Sequence, residues 1–186
     1  MTVSNPRIAW LAAVSLLSLA GCQQTEKAAT DVKSAAQAQT NPTLSTSDVT
    51  FINTAATAGV EEVKFGQLAE TKATTPAIRG FAAQMVKDHT AINEKLTTLA
   101  TSKQLTPPTS MDTTHESAYD TLKSSKGRAF NKPYMDGQVQ DHRQVVQVFK
   151  DEAQSGTDPD VKAFARETLP TLEHHLQMAQ RLDPKG

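Results

Sequence analysis

From Ser47 onward, apolar and small side chains recur every three or four residues through four long stretches, and a period of that kind specifies α-helix. The first stretch runs over about 48–72, with Ile52, Ala55, Ala56, Gly59, Val63, Gly66 and Ala69 on one face and Ser47 or Asp48 as its cap. The second opens at Pro76, a residue suited to a first helical turn, and carries Ile78, Phe81, Ala82, Met85, Ile92, Leu96 and Leu99 before fading near Lys103. The third begins near Asn131–Pro133 and continues through Met135, Val139, Val145, Val146 and Phe149. The fourth runs from Pro159 to about Leu182 along Val161, Phe164, Ala165, Leu169, Leu172, Leu176 and Ala179. Pro170 lies inside this last stretch and predicts a kink, because it removes an N–H from the helical ladder.

The connections are unequal. The first and second helices, and the third and fourth, are separated by only a few turn-forming residues, whereas residues 104–130 form a long connection beginning at Pro107–Pro108. Within it, Asp112 to Lys123 predicts a short helix that Gly127 ends. Two short-looped hairpins joined by a long crossover are the ferritin-like arrangement, so the expectation is an all-α, up-down four-helix bundle with a short helix in the crossover.

Each predicted helix carries one titratable residue on its apolar face. Glu62 lies between Gly59 and Gly66, His89 between Met85 and Ile92, His142 between Val139 and Val146, and His175 between Leu172 and Ala179. Val86-Lys87-Asp88-His89 recurs as Val139-Gln140-Asp141-His142, at matching depth in its helix. At 1.5 Å per residue the loop lengths bring the four to similar heights. Burial of such groups without partners is costly. They either form a polar layer bonded to one another and to water, or they hold a divalent transition metal, for which three imidazoles and a carboxylate suit Zn²⁺, Cu²⁺ or Fe²⁺. Asp88 and Asp141 precede the inward histidines and point sideways, where they either orient an imidazole or face solvent. His174 is expected in solvent, His115 on the surface of the crossover, and Glu61 is a weaker rival to Glu62.

The N-terminal segment reads as an address. Ile8–Ala20 is an apolar run of 13 residues, short of the ~20 that a spanning helix needs, and it fits the apolar region of a secretory signal. It ends in Leu19-Ala20-Gly21-Cys22, which looks like a bacterial lipobox, and Cys22 is the chain's only cysteine. That resemblance implies cleavage after residue 21 and lipidation of Cys22. With Gln23 next, it implies delivery to the outer membrane, facing the periplasm; the alternative is an ordinary signal peptide with an incidental cysteine. Residues 23–46 hold no aromatic and only two large aliphatics, so 22–47 is expected to be a lipidated tether and 48–183 the folded domain.

Composition narrows the function. Nineteen Lys and Arg against twenty Asp and Glu leave a net charge of -1, no excess with which to neutralise nucleic-acid phosphates. A single cysteine cannot make an intrachain disulfide. There is no Gly-rich phosphate loop and no nucleophile elbow, and nothing marks a substrate pocket.

Residues 48–182 resemble the bacterial "domain of unknown function 4142" family, ferritin-like envelope proteins. The resemblance rests on Ala58-Gly59-Val60-Glu61-Glu62-Val63, Met85-Val86-Lys87-Asp88-His89, Phe130 with Tyr134 and His142, Phe149, Phe164-Ala165, Thr168-Leu169-Pro170-Thr171-Leu172 and His175-Leu176. It implies a fold and a location rather than an activity. The iron chemistry of ferritins is not implied: di-iron bundles use Glu-x-x-His on two helices, and Val86 and Leu172 stand where those glutamates would be. Three functions fit: a lipid-anchored protein binding one transition metal, a structural or stress-related envelope protein with a metal-free polar layer and envelope partners, and a metal-dependent oxidoreductase.

Overall fold

A computed structural model describes residues 33–41 and 43–183. The signal segment 1–21, Cys22 and the first part of the tether lie outside the described residues. The described residues form six helices and no strand: α1 (33–40), α2 (Thr46–Lys72), α3 (Pro76–Ser102), α4 (Thr113–Ser124), α5 (Arg128–Ser155) and α6 (Pro159–Leu182). The chain is a helical bundle. No helix among the described residues is long and apolar enough to cross a membrane.

Local chemistry sets the helix starts. Ser45, not Ser47 or Asp48, caps α2: its hydroxyl accepts from the Asp48 amide while the Asp48 carboxylate accepts from the Ser45 amide, a capping box. Thr75 and Asp158 cap α3 and α6, each followed by proline in the first turn. Asp112 caps α4. The expected end of the crossover helix at Gly127 is displaced. α4 stops at Ser124, and Gly127 is instead the N-cap of α5, with a φ of 60° that favours glycine. α5 therefore begins before the expected Asn131–Pro133, and Pro133 lies inside it. α6 runs through Pro170 without interruption; that proline sits on the exposed side.

Two apolar clusters fix the helix directions. One joins the start of α2 (Val49, Phe51, Ile52), the end of α3 (Leu96, Ala100), the end of α5 (Phe149, Ala153) and the start of α6 (Val161, Phe164). Phe51 packs edge-on against Phe149 with ring centroids 4.9 Å apart. The other joins the end of α2 (Leu68, Ala69), the start of α3 (Ile78, Phe81), the start of α5 (Phe130, Tyr134) and the end of α6 (Ala179). α2 thus runs antiparallel to α3 and to α5, and α6 antiparallel to α3 and to α5, so the order is up-down-down-up rather than the expected up-down alternation, because the long crossover carries the chain back along the bundle before α5 begins. α3 ends at one end of the bundle and α5 begins at the other, so residues 103–127 must traverse its length, and α4 rides in that traverse. Lys103, just past α3, pairs with Asp158 and Asp160 at the start of α6. Gly66 lets α2 approach α3 closely: a Cβ there would come within 2.8 Å of the Val86 side chain and 3.1 Å of the Ala82 carbonyl oxygen.

Residues 33–41, expected within the tether, form a helix and a turn against the bundle. Ser34 is wholly buried, and Asn53 of α2 donates to the Ser34 hydroxyl and to Gln37. The segment has too few large apolar groups to announce itself: beyond these polar bonds, Ala38 packs against the first apolar cluster.

At the α5–α6 turn, buried Asp48 accepts from the amides of Thr157 and Asp158. Burial, followed by the charge of Asp48, pushes the neighbouring Glu152 carboxyl up to about 7. A carboxyl raised in the folded state weakens the fold once ionised, so this penalty is present above about pH 7 and disappears as the pH falls toward the ordinary carboxylate range. Glu152→Gln should therefore raise stability by about 1–3 kcal/mol at pH 8 and change it little at pH 5, measured by denaturant unfolding at the two pH values; a loss at pH 8 would contradict this account.

Candidate metal centre

Between the two apolar clusters lies a polar layer. His89 of α3, His142 of α5 and His175 of α6 are all buried and converge, with ring centroids 5.2–5.6 Å apart. One nitrogen from each lies within 4.8 Å of the others, an arrangement that could hold a metal ion.

The hydrogen bonds assign the ring nitrogens. His142 Nδ1 is 3.0 Å from the Gln138 carbonyl oxygen, which can only accept, so this nitrogen carries the proton. His175 Nε2 is 2.8 Å from the Asp88 carboxylate and donates to it. That leaves His142 Nε2, His175 Nδ1 and His89 Nε2 buried without hydrogen-bond partners. Buried polar atoms are rarely left so. Three unpartnered ring nitrogens on three helices, two of them lone pairs held in tautomer by an outer partner, match the build of a metal-ligating histidine set. Burial, opposed by bonds to Gln138 and Asp88, carries His142 and His175 down to about 4. Burial and the two neighbouring imidazoles hold His89 well below its usual range. The rings are therefore neutral at ordinary pH, as ligands must be.

Glu62 shares the layer but stands outside this set. Its Oε2 accepts from Gln138 Nε2 at 2.8 Å, and its Oε1 is 3.4 Å from His142 Nδ1, the nitrogen that the Gln138 carbonyl occupies. Burial pushes the Glu62 carboxyl up to about 7. Gln138, one turn before His142, bonds both Glu62 and the His142 ring. The sequence offers one signal for it, a glutamine on the inward face beside Gly137 and Val139. Asp88 takes the orienting role rather than facing solvent. His174 is exposed, as expected.

His115 is not a free surface residue. It lies half-buried between Glu61 of α2 and the α4 cap Asp112, with Nδ1 at 2.8 Å from a carboxylate oxygen of each. The approach of Glu61, then Asp112, holds its imidazole up to about 9. Glu61 is thus committed to α4, on a face of α2 away from Glu62. Spacing within α2 could not reveal this, because the partner lies in the crossover.

A family model described as "Domain of unknown function (DUF4142)" matches residues 33–182. The fold is similar to the crystal structure of a DUF305 fragment from Deinococcus radiodurans, with a TM-score of 0.68 and 10% identity, covering 77% of this chain and 99% of that one. At that identity the likeness speaks to the fold alone. No curated protein matches the sequence.

Proposed function

Because the chain belongs to the DUF4142 family, whose description assigns no activity, we propose its function from the polar layer: it binds one divalent transition metal through His89, His142 and His175. The observation that carries this is the set of three buried imidazole nitrogens, mutually within 4.8 Å and without hydrogen-bond partners. An all-imidazole set suits Zn²⁺ or Cu²⁺; without a carboxylate it departs from the two-histidine, one-carboxylate set of non-haem iron. Glu62 acts beside the ring of His142 rather than as a ligand. The two antiparallel hairpins and the α4 crossover support reading the bundle as the ferritin-like, four-helix kind. Elemental analysis of tag-free purified protein tests the metal: about one equivalent of a transition metal that is lost in His89→Ala is expected, and protein that stays metal-free after exposure to Zn²⁺, Cu²⁺ and Fe²⁺ would overturn the reading.

The location follows from the N-terminal sequence. We read Cys22 as the lipidated mature N-terminus, holding the bundle at the periplasmic face of an outer membrane, where envelope proteins are its available partners. Cys22→Ala should move the protein from the membrane pellet to the soluble fraction almost completely. A variant that still pellets with the outer membrane would remove the anchor from this proposal.

A further inference from the structure

A second group of ligand-type side chains lies outside the histidine layer, where the crossover helix meets the bundle. Glu61 comes from α2, Asp112 caps α4, and His115 is in the first turn of α4. One atom from each lies within 4.8 Å of the others, so the three share a point rather than a surface.

The hydrogen bonds within the group are incomplete. Asp112 Oδ1 accepts from the His115 amide at 2.8 Å, the ordinary bond of a helix cap, and lies 2.8 Å from His115 Nδ1. Glu61 Oε1 also comes to 2.8 Å from that nitrogen, yet it is buried and has no hydrogen-bond partner. Glu61 itself is only 8% exposed. A single Nδ1 carries at most one proton, and two carboxylate oxygens crowd it. A buried carboxylate oxygen without a hydrogen bond of its own is costly, and with the single Nδ1 proton bonded to Asp112, Glu61 Oε1 is left with the ion pair to the His115 ring alone. A cation at the point shared by the three would satisfy all of them.

We propose that Glu61, Asp112 and His115 form a second divalent-metal site, separate from the histidine layer, that clamps α4 onto α2. Two carboxylate oxygens and one imidazole nitrogen are the donor chemistry of Zn²⁺ or Mn²⁺, harder than the all-nitrogen set in the core. The ion displaces the Nδ1 proton that the two carboxylates otherwise hold on the ring up to about pH 9. Unlike the core set, this one is open to solvent, since His115 and Asp112 are only partly buried. An ion can therefore enter and leave without the bundle opening. Its structural effect falls on the crossover, the one stretch held to the bundle by a short helix with a single fully buried side chain, Leu122.

Isothermal titration of metal-free full-length protein with Zn²⁺, alongside hydrogen exchange across 113–124, tests this. Wild-type protein should bind two equivalents, and Zn²⁺ should slow exchange in α4. His115→Gln should weaken one equivalent at least tenfold and abolish the protection of α4. Asp112→Asn should do the same while keeping the helix cap, since asparagine caps as well as aspartate. His89→Ala should remove the other equivalent and leave the protection of α4 intact. One equivalent, lost in His89→Ala but unchanged in His115→Gln and Asp112→Asn, would overturn the second site and leave the core site standing. The reverse pattern would overturn the core site and leave this one. Two equivalents that both survive His115→Gln and Asp112→Asn would also overturn it.

Discussion

Saturating Zn²⁺ should raise the melting temperature of the metal-free protein by about 5–16 °C. The range follows from linkage: a ligand at a hundred to a thousand times its dissociation constant adds about 2.7–4.1 kcal/mol, and a domain of this size gains about 2–4 °C per kcal/mol. His142→Ala and His175→Ala should each abolish that part of the rise owed to the core, because each removes a nitrogen lone pair from a set of three. To keep the crossover group out of the measurement, the comparison belongs in a His115→Gln background. Asp88→Asn should keep the fold and weaken the metal about 10–100-fold, since it loosens the hold on the His175 tautomer without touching the ion. Glu62→Gln should change affinity far less than any histidine replacement, and exposed His174→Ala should change nothing. Melting curves with and without Zn²⁺ decide the matter. A rise that survives His142→Ala in full would place the metal elsewhere.

The helical period carried the core of this protein into view, but only part of its polar chemistry. α3 and α6 begin where Pro76 and Pro159 mark them, because proline at a first helical turn is a backbone constraint independent of tertiary context. The inward positions of Glu62, His89, His142 and His175 were legible for the same kind of reason: two apolar or small neighbours at helical spacing, one on either side, force each of them into the interior. What periodicity could not give was the direction in which each side chain reaches across the bundle. Glu62 shares its layer with the histidines yet turns to Gln138. Glu61 finds its partner in the crossover, some fifty residues away in sequence. The α1 segment escaped for a different reason. Helix-and-core reasoning looks for large apolar side chains, and α1 is joined to α2 by Ser34, Gln37 and Asn53.

Replacing His89 with leucine should make the metal-free protein more stable, by about 1–3 kcal/mol, while destroying metal binding at the core. His89 is buried, and its Nε2 meets no donor or acceptor. Leaving such an atom unsatisfied costs about 1–3 kcal/mol, whereas an apolar side chain of similar size at the same place carries no such cost. His89 is the right residue for this test because its Nε2 holds no polar partner that its loss would strand. Replacing His142 would take a second donor from the Gln138 carbonyl, and replacing His175 would take a donor from Asp88. The sign of the change separates two accounts of the layer. If its purpose were structural, a set of histidines holding the helices in register, removing one should loosen the bundle and lower its stability. If the layer is a ligand set, the fold tolerates the unsatisfied nitrogens for the sake of the ion, and the apolar replacement relieves the cost. Denaturant unfolding of metal-free wild type and His89→Leu, each repeated with Zn²⁺ in the His115→Gln background, gives both quantities at once. A variant that is less stable without metal would favour the structural account, and a more stable one that no longer responds to Zn²⁺ would show what the layer is kept for.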